Sequence, residues 1–135
     1  MATTITPLGT HRNERPYPFC PGCGHGSILD ALDRTPGAAT LLIAYGITAG
    51  AAAAATATAR AEGIPVSLAV PKTLWPVPET RLREALDGVE RVVVAELNDG
   101  LYRREIERIA GVRTVNGVHR IDGELITPAQ ILEVL

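Results

Sequence analysis

Apolar residues in this chain gather into short unbroken runs, separated by stretches with helical spacing. The runs are Thr40–Tyr45, Val66–Val70 and Arg91–Glu96, with a weaker one at Val112–Val115. The first three are nearly free of polar residues, which is the pattern of strands covered on both faces. Between and after them the spacing predicts helices over Thr48–Glu62, Glu79–Asp87 and Gly100–Ala110. Leu82, Ala85 and Leu86 form one apolar stripe, and Tyr102, Ile106 and Ile109 form another, each flanked by Arg and Glu. Each predicted helix runs into Gly followed by an apolar residue: Gly63-Ile64, Gly88-Val89 and Gly111-Val112. A glycine there takes the left-handed conformation that ends a helix, and the apolar residue after it is expected to fold back onto the last turn. Near the end, Thr127-Pro128-Ala129-Gln130 precedes Ile131, Leu132 and Leu135. That is a capping box with proline at the first helical position, so a last helix is expected.

Strands alternating with helices imply an α/β fold: three layers around a mostly parallel sheet of about four to five strands. The Ala51–Ala55 run has so little side-chain bulk that its helix should approach the sheet or a partner closely. Residues 1–37 do not share this phrase. His11 to Pro21 is polar and proline-rich, and Ser27–Arg34 suits a short helix capped by Ser27 and carrying Ile28, Leu29, Ala31 and Leu32. Thr35-Pro36-Gly37 then forms a joint. Two parts are expected: an N-terminal arm, 1–37, and an α/β domain, 38–135.

Composition narrows the classes of partner. Apolar residues make up 46% of the chain and charged residues 21%, an ordinary globular balance. A net charge of −2 with no basic block predicts neither nucleic-acid nor anionic-membrane binding. Thr35 to Ala59 is uncharged and long enough to span a bilayer, but Ala, Gly and Thr transfer weakly into lipid. Tyr45-Gly46 also divides it, so it reads as a buried strand followed by a buried helix. Met1–Leu8 lacks a basic region and an apolar core, so no secretory leader is expected. The two cysteines lie too close together for a disulfide framework, which points to a cytoplasmic protein.

Cys20-Pro21-Gly22-Cys23 is the strongest chemical signal. Two thiolates at this spacing can chelate one metal through a tight turn, with Gly22 and Gly24 letting backbone amides face the sulfurs. Several readings stand. An iron–sulfur cluster takes four protein ligands, of which Cys20 and Cys23 would be half. Zinc could recruit His25 with His11 or His119. A dithiol redox pair would need one low-pKa thiol at the start of the Ser27 helix. The pair could also be idle. His25 is a ligand, a cofactor contact or a solvated turn residue, while His11 and His119 read as surface residues.

Other motifs are weaker. Gly46-x-x-x-Gly50 opens a helix whose amides could hold an anion, though close helix–sheet packing explains it more simply. Glu96-Leu97-Asn98-Asp99-Gly100 falls at a strand's carboxyl end, where α/β sites gather, with Asp99 the expected cap of the next helix. Asn98-Asp99-Gly100 lacks the later Asn of a metal-diphosphate signature, so no diphosphate site is assigned there. Lys72-Thr73-Leu74-Trp75-Pro76-Val77-Pro78 is a rigid loop whose Trp75 is either an interface anchor or a buried plug.

Four of these segments form an ordered set: Tyr45-Gly46-Ile47-Thr48-Ala49-Gly50, Ala61-Glu62-Gly63-Ile64-Pro65-Val66, Lys72 to Pro78, and Val94-Ala95-Glu96-Leu97-Asn98. With the closing Asp122-Gly123-Glu124-Leu125-Ile126-Thr127-Pro128, the set resembles the transketolase-type C-terminal domain of the α chain of 2-oxoacid:ferredoxin oxidoreductases, over residues 40–135. Phe19-Cys20-Pro21-Gly22-Cys23-Gly24-His25-Gly26 resembles the start of the β chain of the same enzymes. That chain binds thiamine diphosphate and a four-iron four-sulfur cluster. The resemblance implies that Cys20 and Cys23 match two cluster ligands and that His25 falls where a residue faces the thiamine site. The other two ligand cysteines and the diphosphate signature of the family are absent.

The implied function is a partial subunit or assembly domain of an enzyme that oxidatively decarboxylates a 2-oxoacid, inactive alone. Its partners would be the other oxidoreductase chains or further copies of itself, with ferredoxin reached only through the complex. A small iron–sulfur or zinc module built on Cys20 and Cys23 is the alternative.

Overall fold

The computed structural model describes residues 32–135. In chain order the elements are β1 (Leu32–Asp33), β2 (Thr40–Ala44), α1 (Thr48–Ala61), β3 (Val66–Ala69), α2 (Glu79–Ala85), β4 (Arg91–Glu96), α3 (Leu101–Ala110), β5 (Thr114–His119) and α4 (Pro128–Leu132). They form one five-stranded sheet of order β1-β3-β2-β4-β5, in which only β1 is antiparallel. The apolar runs occupy its centre because a parallel strand with helices on both faces has no side turned to water. Leu42 of β2 stands opposite Leu68 and Val93, and Ile43 opposite Ala69 and Val94.

Alternate residues then serve alternate faces. Leu42, Ala44, Val66, Leu68, Val93 and Ala95 pack against α1 and α4, while Leu41, Ile43, Ala69, Val92 and Val94 pack against α2 and α3. These are the expected three layers. The uncharged stretch is β2 and α1, and no helix among the described residues is long and apolar enough to cross a membrane.

In α1, Ala52, Ala55 and Ala59 are fully buried. Gly50 faces outward, and a Cβ there would meet nothing within 4 Å, so close packing does not explain this glycine. Gly46, at φ 58°, serves the turn instead. The helix closes with the expected bonds: the Ile64 amide donates to the Ala59 carbonyl at 2.9 Å and that of Gly63 to Arg60 at 3.1 Å. The Ile64 side chain is nonetheless 41% exposed, whereas Val89 after Gly88 is buried.

Three further expectations fail locally. Val112 is fully exposed rather than folded back on α3, because it sits in the turn that leads from Gly111 to β5. The last strand runs over Thr114–His119 rather than Val112–Val115, its register set by Arg91 opposite Thr114 and Glu96 opposite His119. An edge strand containing Asn116 and Gly117 has a weak apolar signal, and pairing with β4 overrides it.

The third failure concerns Leu32, expected in a helix over Ser27–Arg34. It is a strand residue opposite Ala69, packed on the α2/α3 face with Leu74 and Val77. Asp33 meets Arg60 at 2.7 Å, and the Thr35 hydroxyl donates to the Val66 carbonyl at 2.8 Å. These contacts join residues 32–35 to the sheet edge. The rest of the expected helix lies outside the described residues.

The C-terminus is fastened twice. Arg91 donates to the carbonyl of Leu135 at 2.9 Å and also to that of Val134. At the start of α4 the Gln130 amide donates to Thr127 Oγ1 at 3.3 Å, and the Thr127 amide to Gln130 Oε1 at 2.9 Å. The predicted capping box is thus present. Thr127→Ala is expected to cost about 1 kcal/mol, read as a lower urea midpoint at unchanged slope. An unchanged midpoint would mean that burial of Ile131 alone holds α4 in place.

Candidate functional site

Three strand ends converge at the carboxyl side of the sheet. Tyr45 follows β2, Glu96 closes β4 with Asn98 just beyond, and His119 closes β5 opposite Glu96. Glu96 is fully buried. Its carboxylate accepts from the Tyr45 hydroxyl at 2.7 Å, the Tyr102 amide at 3.0 Å and the Arg103 amide at 2.9 Å. Asn98 links the group: its amide donates to the Tyr45 hydroxyl at 2.7 Å, and its Oδ1 accepts from the Leu101 amide at 2.8 Å.

A carboxylate out of water is tolerable here because the unpaired amides of a helix N-terminus supply both donors and a favourable field. The expected cap, Asp99, is exposed and reaches only Arg104, at 3.7 Å. Gly100 explains the difference. At φ 76° it turns the chain so that the side chains of Glu96 and Asn98, not Asp99, reach the first amides of α3.

His119 is not the plain surface residue expected. Its Nε2 lies 3.5 Å from Glu96 Oε1 and has no hydrogen-bond partner, with 27% of the side chain exposed. The ring occupies a slot that two glycines open. A Cβ at position 117 would lie 2.2 Å from His119 Cε1, and one at position 100 would lie 2.9 Å from it. Arg103 borders the same slot and pairs outward with Glu107 at 2.7 Å.

Tyr45 and Tyr102 meet edge to face, with ring centroids 5.4 Å apart. Both phenols are pushed up to about 12. Burial is the main cause in each; Glu96 adds to it for Tyr45, and the charges of Glu105 and Glu96 add to it for Tyr102. A raised folded pKa favours the neutral phenol. The associated stability is therefore complete below the unfolded value of about 10 and is lost as pH climbs towards about 12. A phenolate absorbance titration should find these two tyrosines ionising late, together with loss of structure. Ionisation of both near the ordinary value would contradict the buried network.

All of these polar contacts are internal. They anchor α3 to the sheet and leave the Glu96 oxygens committed to Tyr45 and the helix. Among the described residues no group of three or more His, Cys, Asp or Glu is placed to hold a metal ion. Around the network the strand-end loops and the start of α3 expose apolar side chains: Ile47 after β2, Trp75 after β3, Leu97 after β4, Leu101 at the start of α3, and Ile121 after β5. Trp75 is 67% exposed, so it is not a plug. Cys20, Cys23, His25 and His11 lie outside the described residues.

The three-layer sheet is of the transketolase C-terminal type. A split-gene transketolase, described as an inactive β4 tetramer, matches it with a TM-score of 0.60 at 23% identity, over 72% of this chain and 37% of that one. Residues 38–131 match pyruvate:ferredoxin oxidoreductase core domain II, and the chain belongs to that family. Ketoisovalerate oxidoreductase subunit VorB of Methanothermobacter thermautotrophicus is 43% identical over 93 residues, covering 69% of this chain and 26% of that protein. 2-Oxoglutarate synthase subunit KorA of Methanothermobacter marburgensis is 35% identical over 92 residues, covering 67% and 24%. The 2-oxoglutarate:ferredoxin oxidoreductase of Magnetococcus marinus, solved with 2-oxoglutarate, coenzyme A and succinyl-CoA, matches with a TM-score of 0.67 at 25% identity, over 76% and 18%. The chain thus spans about a quarter of the length of these curated relatives.

Proposed function

We propose that this chain is a partial subunit of a thiamine-dependent 2-oxoacid:ferredoxin oxidoreductase, an assembly domain with no turnover of its own. The observation that carries the reading is the carboxyl end of the sheet. Glu96 and Asn98 are spent on capping α3, and the large exposed side chains Ile47, Trp75, Leu97 and Leu101 are apolar and suited to contact. Its partners are the other oxidoreductase chains or further copies of itself, and ferredoxin is met only through the assembled, cytoplasmic complex. The contact domain takes in β1 as well as residues 38–135, and the arm is the segment before Leu32.

In this family thiamine diphosphate and iron–sulfur clusters supply the decarboxylation and electron transfer. This chain's donor set is incomplete for a four-iron cluster, with two cysteines against four ligands, so no redox step is assigned to it. Cys20 and Cys23 supply two ligands and His25 faces the thiamine site, each within a shared assembly. A zinc site on the same cysteines is the alternative.

Purified chain with a 2-oxoacid, coenzyme A and an electron acceptor should show no turnover, and co-expression with a thiamine-binding chain should give co-purification. Turnover by the chain alone would sink the proposal. Anaerobic reconstitution should load iron that Cys23→Ser removes. Zinc alone would favour the zinc module, and equal metal in both proteins would take the cysteines out of the argument.

A further inference from the structure

The two edges of the sheet are finished differently. β1 is two residues long and ends in the charged Asp33, which Arg60 holds at 2.7 Å. Short length and charge are usual means of keeping a sheet edge from pairing with another chain. β5 has neither. It pairs with β4 through successive residues without a bulge, from Arg91 opposite Thr114 to Glu96 opposite His119, and contains no Asp, Glu, Lys, Arg or Pro. No strand lies beyond it among the described residues.

What flanks β5 is apolar. Val112 lies two residues before the strand and Ile121 two residues after it, symmetrically about its centre. At 103% and 79% exposure they are the two most exposed of the large apolar residues described. The arginines between them and the strand are engaged within their own domain: Arg113 donates to the Val89 carbonyl at 2.8 Å, and Arg120 pairs with Asp122 at 2.6 Å.

We propose that β5 pairs antiparallel with β5 of a second copy of this chain about a two-fold axis, joining two five-stranded sheets into one. Reversal about the strand centre brings Val112 of one copy beside Ile121 of the other, and does so at both ends of the seam. A parallel neighbour would leave both in water. Residues opposite one another in a sheet share a face, and here Val115 faces the α2/α3 layer and Val118 the α1/α4 layer. The axis therefore stands perpendicular to the sheet, and α3 lies beside its own copy, antiparallel. Arg103 borders Gly117 of β5 and pairs with Glu107 one turn on. In the antiparallel arrangement the positive end of that pair meets the negative end of the other.

A seam this short is a small interface, so a Kd on the order of micromolar is expected. In dilute solution the copies part while each stays folded, and the contact does not enter the stability of the single domain. The proposal commits to a second copy as one partner and does not depend on the oxidoreductase reading.

Sedimentation of the full chain should show the mass rising from one chain to two across the micromolar range. Val112→Asp with Ile121→Asp sets like charges against each other and should raise the Kd at least about tenfold. Circular dichroism should not change, because both side chains are exposed in the single chain. The register has its own check, made in chains carrying Cys20→Ser and Cys23→Ser. Mixing Val112→Cys chains with Ile121→Cys chains under oxidation should give many-fold more disulfide-linked dimer than either variant alone. If the aspartate variant loses its fold, this mixing experiment decides. A chain that stays monomeric throughout would overturn the proposal, as would a dimer indifferent to the two aspartates. Links within one variant as abundant as those between the two would overturn it as well. No activity or cofactor is read, so the proposed function stands or falls separately.

Discussion

Glu96→Ala should lower the stability of the domain by about 4 kcal/mol, a large share of the roughly 5–15 kcal/mol that holds a domain of this size together. The substitution leaves the amides of Tyr102 and Arg103 and the hydroxyl of Tyr45 without their acceptor. A buried donor deprived of its partner costs about 1–3 kcal/mol, and these three belong to one network whose losses do not simply add. Glu96→Gln separates charge from shape. It keeps the side-chain volume but turns an amide donor towards a backbone donor, so a loss of about 2 kcal/mol is expected. Tyr45 should also ionise earlier in this variant, because one cause of its raised value is gone. Urea midpoints at constant slope provide the stability test. If both variants fell within about 0.5 kcal/mol of the parent, the carboxylate would be a passenger and α3 would be held by its apolar face alone.

Leu42→Ala should cost about 3–4 kcal/mol. Leu42 is fully buried in the central strand, on the face covered by Ala52, Ala55 and Ala59 of α1. The cost of such a cavity depends on how far its walls can move in. An alanine methyl is fixed to its backbone, so this wall has no long side chain to lean into the hole and must shift as a whole helix. Val112→Ala is the matched control, within about 0.5 kcal/mol of the parent because Val112 is fully exposed. A loss below about 1.5 kcal/mol for Leu42→Ala would mean that α1 slides inward readily, against the close packing expected of its alanines.

These two sites differ in how far they could be foreseen. Leu42 sits in Thr40–Tyr45, where an unbroken apolar run announces a strand buried on both faces. Its burial needs no knowledge of what covers it. Glu96 closes an equally clear run, yet a carboxylate at a strand end reads the same whether it faces water, a substrate or a helix. Adjacency alone points to Asp99 as the cap of α3. The left-handed turn at Gly100 moves that duty to Glu96 and Asn98. A lone histidine carries no positional signal, so sequence alone puts His119 at the surface. Only the pairing of β5 with β4 brings it to Glu96, and only Gly100 and Gly117 leave room for its ring.

The sequence by itself determined the α/β class, the central strands, the glycine stop after α1, the capping box of α4 and the family, because each rests on residues within a few positions or on motifs in fixed order. The strand order, the reversal of Leu32–Asp33 onto β3 and the buried network at Glu96 were decided by the tertiary structure. Those features join side chains far apart in the chain, such as Tyr45 and Glu96 at 51 residues, and local preference is silent about such pairs.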